Sequence, residues 1–294
     1  MPKKAVLIFN PRAGSWRTAQ RVATIGSVLA AAGYDAEPLP TQAPGHATEL
    51  ARESAHGGVD VVFSHGGDGT LREAAAGLLG TDVALAPIPG GTVNVVATSL
   101  GLPQNSLRAA KMFARTDAVE MDVGVCGEEL FLMQTSAGLD AHIMGNLDPA
   151  LKRRFGRAAV AYSGLLHFAD YDYPAIDLIA DGRHLSATMV AICNLPYYGG
   201  SFQMAPGASI TDRALDLVVF QGEGRLKTLA FARDVALGRH LRRADVELIR
   251  VQKVELRGPE GLAIQLDGDA LPIQLPVTVS LHPERVRILK PSTG

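Results

Sequence analysis

The first third of the chain alternates between short apolar runs and helical patterns, with a glycine-rich turn after several of the runs. This alternation constrains the fold more than any other feature of the sequence. Residues 5–9, 35–39, 59–64 and 83–88 read as strands, and 18–32, 46–55 and 70–79 as helices. In the first helix Val22, Ile25, Leu29 and Ala32 share one face, and Gly33 is placed to stop it. Strands and helices at this spacing form βαβ units, hence a mostly parallel, doubly wound sheet covered on both faces. Loops leaving the carboxyl ends of such strands converge on one crevice.

The pattern changes near residue 119. Apolar segments become short and turn-separated, at 121–125, 130–135, 175–179, 188–194, 215–221, 246–257, 263–266 and 277–282. This reads as an antiparallel β-sandwich, interrupted by helical stretches near 149–168 and 226–237. A length of 294 residues accommodates two domains. The expected division is an α/β domain over 1–118 and a sandwich over 119–285. Lys and Arg number 28 against 30 Asp and Glu, which lacks the basic excess of a non-specific nucleic-acid binder. Aromatic residues at 5% leave few platforms for stacking bases. Cys126 and Cys193 lie far apart and in no CxxC pair, so neither a disulfide framework nor a zinc cluster is expected. No apolar run reaches the ~18 residues of a membrane span. The start, Met-Pro-Lys-Lys and five further residues, is too short for a signal peptide, so a cytoplasmic protein is expected.

Three glycine-rich loops follow predicted strands. They are Asn10-Pro11-Arg12-Ala13-Gly14-Ser15, Gly66-Gly67-Asp68-Gly69-Thr70 and Pro89-Gly90-Gly91-Thr92-Val93-Asn94. Glycines let backbone amides approach a phosphate without Cβ interference. A helix starting at Thr70 would turn free N–H groups and its positive end toward that anion. Asp68 would repel a phosphate unless a cation mediates, which points to Mg²⁺. No Gly-Lys-Ser/Thr follows Gly66–Gly69, so this is not a Walker A loop, and it is not GxGxxG either.

Gly66-Gly67-Asp68-Gly69-Thr70, with Glu73 three residues on, resembles the signature of the diacylglycerol kinase catalytic-domain family. That family includes bacterial diacylglycerol kinases, sphingosine kinases and ceramide kinases. The likeness runs along nearly the whole chain. Asn10 to Gly14 is similar to the family's first nucleotide loop and Pro89 to Asn94 to its third. Met121-Asp122-Val123-Gly124 and Gly138-Leu139-Asp140-Ala141 are similar to motifs opening its second domain. Ala205-Pro206-Gly207-Ala208, followed by 212–218, resembles its metal-associated loop. Leu266-Asp267-Gly268-Asp269 stands where the family has Asp-Gly-Glu.

The resemblance implies an α/β nucleotide domain plus a β-sandwich, with the last segment, including 286–289 and extending to 294, returning to the first domain. It implies an ATP site at Asn10, Pro11, Arg12, Ala13, Gly14, Thr41, Gly66, Gly67, Asp68, Gly69, Thr70, Leu71, Arg72, Glu73, Gly91, Thr92 and Asn94. It also implies a structural Mg²⁺ on Asp216 with the backbone oxygens of Arg213 and Val218. Asp216 alternates with Leu215, Leu217 and Val219, so a solvent-facing strand residue is the competing reading. Asp269 becomes the candidate general base for phosphoryl transfer to an alcohol, with Asp68 beside the phosphates as the second catalytic candidate. Asp267 is a neighbouring carboxylate that could share a metal or take the same role. Asp-Gly is also a strong turn signal, so a plain hairpin stands beside the catalytic reading.

Two departures matter. Asp269 is one methylene shorter than the family's Glu, a reach ~1.5 Å less. Val95-Val96 follows Asn94 where many members carry Asp-Phe, which removes an acidic side chain and leaves lipids other than diacylglycerol open. Lys152-Arg153-Arg154-Phe155-Gly156-Arg157, Arg225, Lys227 and Arg239-His240-Leu241-Arg242-Arg243 are basic clusters. They are either solvated faces or contacts to an anionic bilayer, worth ~1 kcal/mol per residue near the surface. The expected protein is an ATP- and Mg²⁺-dependent lipid kinase, peripheral at the inner membrane face, with a homodimer compatible. The competing readings are a kinase of the NAD kinase type, which shares the Gly-Gly-Asp-Gly-Thr loop, and a non-catalytic nucleotide or lipid sensor.

Overall fold

The computed structural model of the protein describes residues 1–11, 18–148, 151, 157–168 and 170–292. Arg12, Ala13 and Gly14 of the first loop, and Lys152, Arg153 and Arg154 of the first basic cluster, lie outside the described residues. The chain divides into two units, Met1–Asp122 with Pro283–Gly294, and Val123–His282.

The first unit is built from β1 (Lys3–Phe9), α1 (Thr18–Ala31), β2 (Tyr34–Pro40), α2 (His46–His56), β3 (Val61–Gly66), α3 (Asp68–Leu78), β4 (Ala84–Pro89), α4 (Val95–Ser99), α5 (Ser106–Met112) and β5 (Thr116–Met121). Its sheet runs in the order β2-β1-β3-β4, then the closing strand Val286–Pro291, then β5. The first five strands are parallel, and β5 is antiparallel to the closing strand. Strands β3 and β4 are buried along their whole length, which is why both read as unbroken apolar runs rather than as an alternation. Val22, Ile25 and Leu29 of α1 pack with Leu7, Phe63 and Phe113. The rings of Tyr34 and Phe113 meet Phe63 edge-on at 5.0 and 5.4 Å. Each large side chain withdrawn from water here contributes ~1.5–3 kcal/mol.

The closing strand makes this unit discontinuous in sequence. Where the chain leaves and re-enters it, the fully buried Asp122 carboxylate pairs with the Arg285 guanidinium at 2.8 Å. Breaking a buried pair strands a charge and costs ~3–5 kcal/mol, so this pair ties the returning segment down.

The second unit comprises β6 (Gly124–Cys126), β7 (Glu129–Phe131), β8 (Gln134–Ala137), α6 (Leu139–Gly145), α7 (Arg157–Phe168), β9 (Ile176–Ala180), β10 (Arg183–Ala187), β11 (Met189–Cys193), β12 (Tyr197–Tyr198), β13 (Phe202–Gln203), β14 (Leu215–Phe220), α8 (Gly224–Ala236), β15 (Val246–Val251), β16 (Lys253–Arg257), β17 (Ile264–Leu266), β18 (Asp269–Leu271) and β19 (Val277–Leu281). Two six-stranded antiparallel sheets have the orders β10-β9-β16-β19-β6-β7 and β15-β14-β11-β8-β17-β18. Their core contains Phe131, Leu178, Val190, Leu217, Val254 and Ile264. Cys126 and Cys193 are buried and unlinked, and burial pushes both thiols up, Cys126 to about 11.

The single strand expected over 246–257 is two strands. β15 pairs with β14 in one sheet, and β16 with β9 and β19 in the other. The chain crosses between sheets at Gln252, where the Asp181 carboxylate accepts the amides of Gln252 and Lys253, both at 2.9 Å. Such corners are how one strand serves two layers. An apolar pattern on each side hides the change of sheet from sequence.

Candidate functional site

The register of the first sheet brings three strand ends level. Phe9 sits beside His65, and Gly66 beside Pro89. The loops that follow are joined by backbone bonds: the Asn10 amide donates to the His65 carbonyl at 3.2 Å, Gly90 to Gly66 at 2.9 Å, and Thr41 to Phe9 at 2.9 Å. Asn10, Thr41, Gly66 and the Gly90–Gly91 turn therefore form one edge. His65 is buried beneath it, and burial lowers its pKa. Its neutral ring donates from Nδ1 to the Ile88 carbonyl at 3.2 Å, fixing β3 to β4. The structural role of His65 is thus packing.

α3 begins at Asp68, two residues before the expected Thr70. Asp68, Gly69 and Thr70 form its first turn, whose amides have no carbonyl one turn earlier and can meet an anion. The Asp68 carboxylate accepts the Val95 and Val96 amides at 3.0 and 3.2 Å. Asp68 thereby holds the first turn of α4, and α4 in turn holds Asp68. Asn94 has a left-handed backbone (φ 51). Its side chain accepts from Gly91 N at 2.9 Å and donates to the Gly91 carbonyl and to Gln104 Oε1. The third loop is thus fixed from within. Pro11 and Thr92 are exposed, and Gly69, Thr70 and Arg72 half-buried. Two expected nucleotide residues turn elsewhere. Leu71 is buried. The Glu73 carboxylate accepts the Ala47 amide at 3.2 Å, and its carbonyl accepts the Thr48 hydroxyl, so Glu73 ties α3 to α2.

In the second unit, Asp267 and Gly268 are the two central residues of the β17–β18 hairpin. Both have positive φ, 51 and 86, as a type I′ turn requires. The buried Asp267 carboxylate accepts three amides: Leu132 at 2.8 Å, Met133 at 2.8 Å and Gln134 at 3.1 Å. Asp267 is an anchor. Asp269 follows the turn as the first residue of β18, opposite Leu266 and half-buried. The hairpin and catalytic readings of this motif are therefore compatible, because the turn is what presents Asp269.

A polar chain lies behind the turn. Gly268 N donates to Gln265 Oε1 at 2.7 Å, Gln265 Nε2 to Ser136 Oγ at 2.6 Å, and Ser136 Oγ to Asp140 Oδ2 at 2.5 Å. Tyr198 adds a hydroxyl to the same Oδ2 at 3.3 Å. Burial pushes the Asp140 carboxyl up, against the bonds from Ser136 and Tyr198 that favour its charge. Ser136 and Gln265 escape sequence reasoning. The only signal for them is a polar residue in the middle of an apolar strand, on facing positions of β8 and β17.

The family model for the diacylglycerol kinase catalytic domain matches residues 4–126. A second, described as the YegS C-terminal NAD kinase beta sandwich-like domain, matches residues 133–290. The "Probable lipid kinase YegS-like" of Chromohalobacter salexigens is 31% identical over 244 residues, 81% of this chain and 78% of that protein. The chain belongs to the diacylglycerol kinase catalytic-domain family. The diacylglycerol kinase of Bacillus subtilis is 26% identical over 274 residues, 91% of this chain and 90% of that one. A crystal structure of a diacylglycerol kinase from Bacillus anthracis matches with a TM-score of 0.75 at 25% identity, over 98% of this chain and 97% of that chain. This chain is a kinase of that family.

Within the family frame, Val95 and Val96 are buried. Their backbone, not an acidic side chain, carries the polar contact at this point. Asp216 lies on β14 between Cys193 and Arg250. Burial and the nearby Asp212 raise its pKa, while Arg250 opposes them. The Arg213 carbonyl accepts Gln252 Nε2 at 2.8 Å, and Val218 lies inside the ladder between β11 and β15. Asp212 is itself paired with Arg250 at 2.8 Å, so the Asp216 carboxylate and chain carbonyls are the oxygen donors here, of the kind a hard cation takes. Among the described residues no group of three His, Cys, Asp or Glu side chains forms a metal cluster, so carbonyl oxygens would have to complete this one. No helix among the described residues is long and apolar enough to cross a membrane.

Proposed function

We propose that this kinase transfers the γ-phosphoryl group of ATP to the hydroxyl of a lipid alcohol, with Asp269 as general base. The carrying observation is the hairpin that Asp267 anchors and that sets Asp269, half-buried, just after its turn. Asp267 is committed to three backbone amides, and Asp269 is set at the start of the next strand. As the acceptor oxygen bonds to the γ-phosphorus, the bond from phosphorus to the ADP oxygen breaks. The hydroxyl proton passes to the Asp269 carboxylate.

The first-turn amides of α3 and the Gly90–Asn94 loop hold the phosphates, and Asn94 keeps that loop in shape. Mg²⁺ would neutralise charge on the transferring group, and Asp68, whose two oxygens each accept one amide and carry a second lone pair, would hold it. Asp216, with the carbonyls of Arg213 and Val218, would hold a second, structural ion. The relatives' names make diacylglycerol the first acceptor to try. The sandwich matches a model described as NAD kinase-like, so NAD is the soluble rival.

The test incubates the protein with γ-labelled ATP, Mg²⁺ and diacylglycerol, phosphatidylglycerol, monoacylglycerol, sphingosine and ceramide in mixed micelles, with NAD alongside. Label in a lipid is expected. Label in NAD alone, or none anywhere with ATP bound, overturns the reading.

A further inference from the structure

We propose that the outward face of α8 is a docking surface for an anionic lipid bilayer, a proposal that rests on the lipid-kinase reading for why a bilayer would be approached. The inner face of α8 is satisfied. Thr228, Phe231, Asp234 and Val235 are buried, and Phe231 stacks on Phe220 with ring centroids 4.4 Å apart. A surface helix ordinarily turns polar residues outward on its other face. Here Leu226 is 84% exposed, Leu229 52% and Leu237, just past the helix end, 56%. With Ala230 and Arg233 they follow i, i+3, i+4, i+7 spacing, so they lie along one stripe.

The charges around this stripe are mostly basic. Arg225, Lys227 and Arg233 are exposed on the helix, and Arg239 and Arg242 beyond it. The helix's one acid, Asp234, is held by Arg233 at 2.8 Å and by Arg243 at 3.0 Å, so the Arg233 charge is already paired and Arg225 and Lys227 are the cations the helix brings to the stripe. Glu223 precedes the first turn. Not all of the basic run at 239–243 takes part, because His240 is buried against the Met204 carbonyl and Arg243 is committed to Asp234 and Asp245.

Leucines that enter the acyl boundary, flanked by cations at headgroup level, are what an interfacial helix needs. A second copy of the chain is the poorer occupant. A two-fold contact on this face would set Arg225 and Lys227 against their own counterparts. On α7 the side chains of Tyr162 and Leu166 are also exposed.

Flotation of the full chain with two kinds of vesicle tests this, phosphatidylcholine alone and phosphatidylcholine with about one third phosphatidylglycerol. Binding to the anionic vesicles is expected, weakening as salt screens the charges. The double variant Leu226→Asp/Leu229→Asp, and separately Arg225→Glu/Lys227→Glu, should each lower partitioning roughly tenfold or more. Thermal midpoint and turnover on a short-chain, water-soluble acceptor should stay unchanged. Equal binding by wild type and variants overturns the proposal. So does wild type that ignores anionic vesicles, or a wild-type dimer that the leucine variant dissociates. Vesicle binding lost in the variants, with no phosphate transfer to any lipid, supports the docking surface and removes only the kinase reading.

Discussion

Gly91 approaches Gly67 so closely that a Cβ on Gly91 would lie 2.6 Å from the Gly67 Cα. The second and third loops are therefore in backbone contact, which only glycine at position 91 allows. Gly91→Ala must push them apart. A cost of ~1–3 kcal/mol in stability is expected, as for other forced overpacking, together with a rise in KM for ATP. Chemical denaturation and ATP titration check both. A variant with unchanged stability and KM would show that the loops yield freely.

Asp267→Asn tests the anchor. The amide replaces one accepting oxygen with a donor, which then faces a backbone N–H. Loss of charge-assisted bonds to three amides should cost ~2–4 kcal/mol. The thermal midpoint of this variant should fall well below that of Asp269→Asn. Equal midpoints would mean that Asp267 does not hold the turn.

Asp140 carries a pH dependence. Burial raises its pKa in the folded protein. The stability associated with its protonated form is therefore complete below the ordinary carboxylate range and is lost as pH rises through the folded value. Asn at this position mimics the protonated carboxyl. Urea denaturation of wild type and Asp140→Asn should show the variant gaining, relative to wild type, as pH rises from acid to neutral. The gain is at most about 1.4 kcal/mol per pH unit across the titration. A difference independent of pH contradicts this assignment.

The α/β character of the first unit was legible because its central strands β3 and β4 are buried along their length and its helices on one face, so each leaves its own apolar mark. Antiparallel sandwich strands were legible as short runs, but the corner at Gln252 was not, since a change of sheet leaves the apolar alternation intact. The glycine loops could be read as phosphate-binding candidates from composition alone. What Asp68 does there could not, because its partners are the amides of Val95 and Val96, and every non-proline residue has an amide. For the same reason Asp267 and Asp269 look alike in sequence, and the three amides around Asp267 are what mark it as the anchor. The Asp140, Ser136 and Gln265 chain joins residues about 130 positions apart, and no local pattern encodes such a contact.

The carbonyl-assisted cation site at Asp216 makes its own prediction. Mg²⁺ should raise the thermal midpoint of the wild-type protein, and a chelator should reverse this. An ion at a hundred times its Kd stabilises by ~2.7 kcal/mol. Asp216→Asn should lose most of the Mg²⁺-dependent shift. A full shift in the variant places the stabilising ion elsewhere.

The most direct test of the central claim is turnover of Asp269→Asn and Asp269→Glu on the lipid that wild type labels. Asp269→Asn should lose ~10²–10⁴-fold in kcat, with its thermal midpoint and ATP affinity kept. Asp269→Glu, which restores the carboxylate common in the family, should stay within about tenfold of wild type, a difference of ~1.4 kcal/mol in the barrier. Near-wild-type turnover by Asp269→Asn would contradict the account, because the proton would then leave by another route.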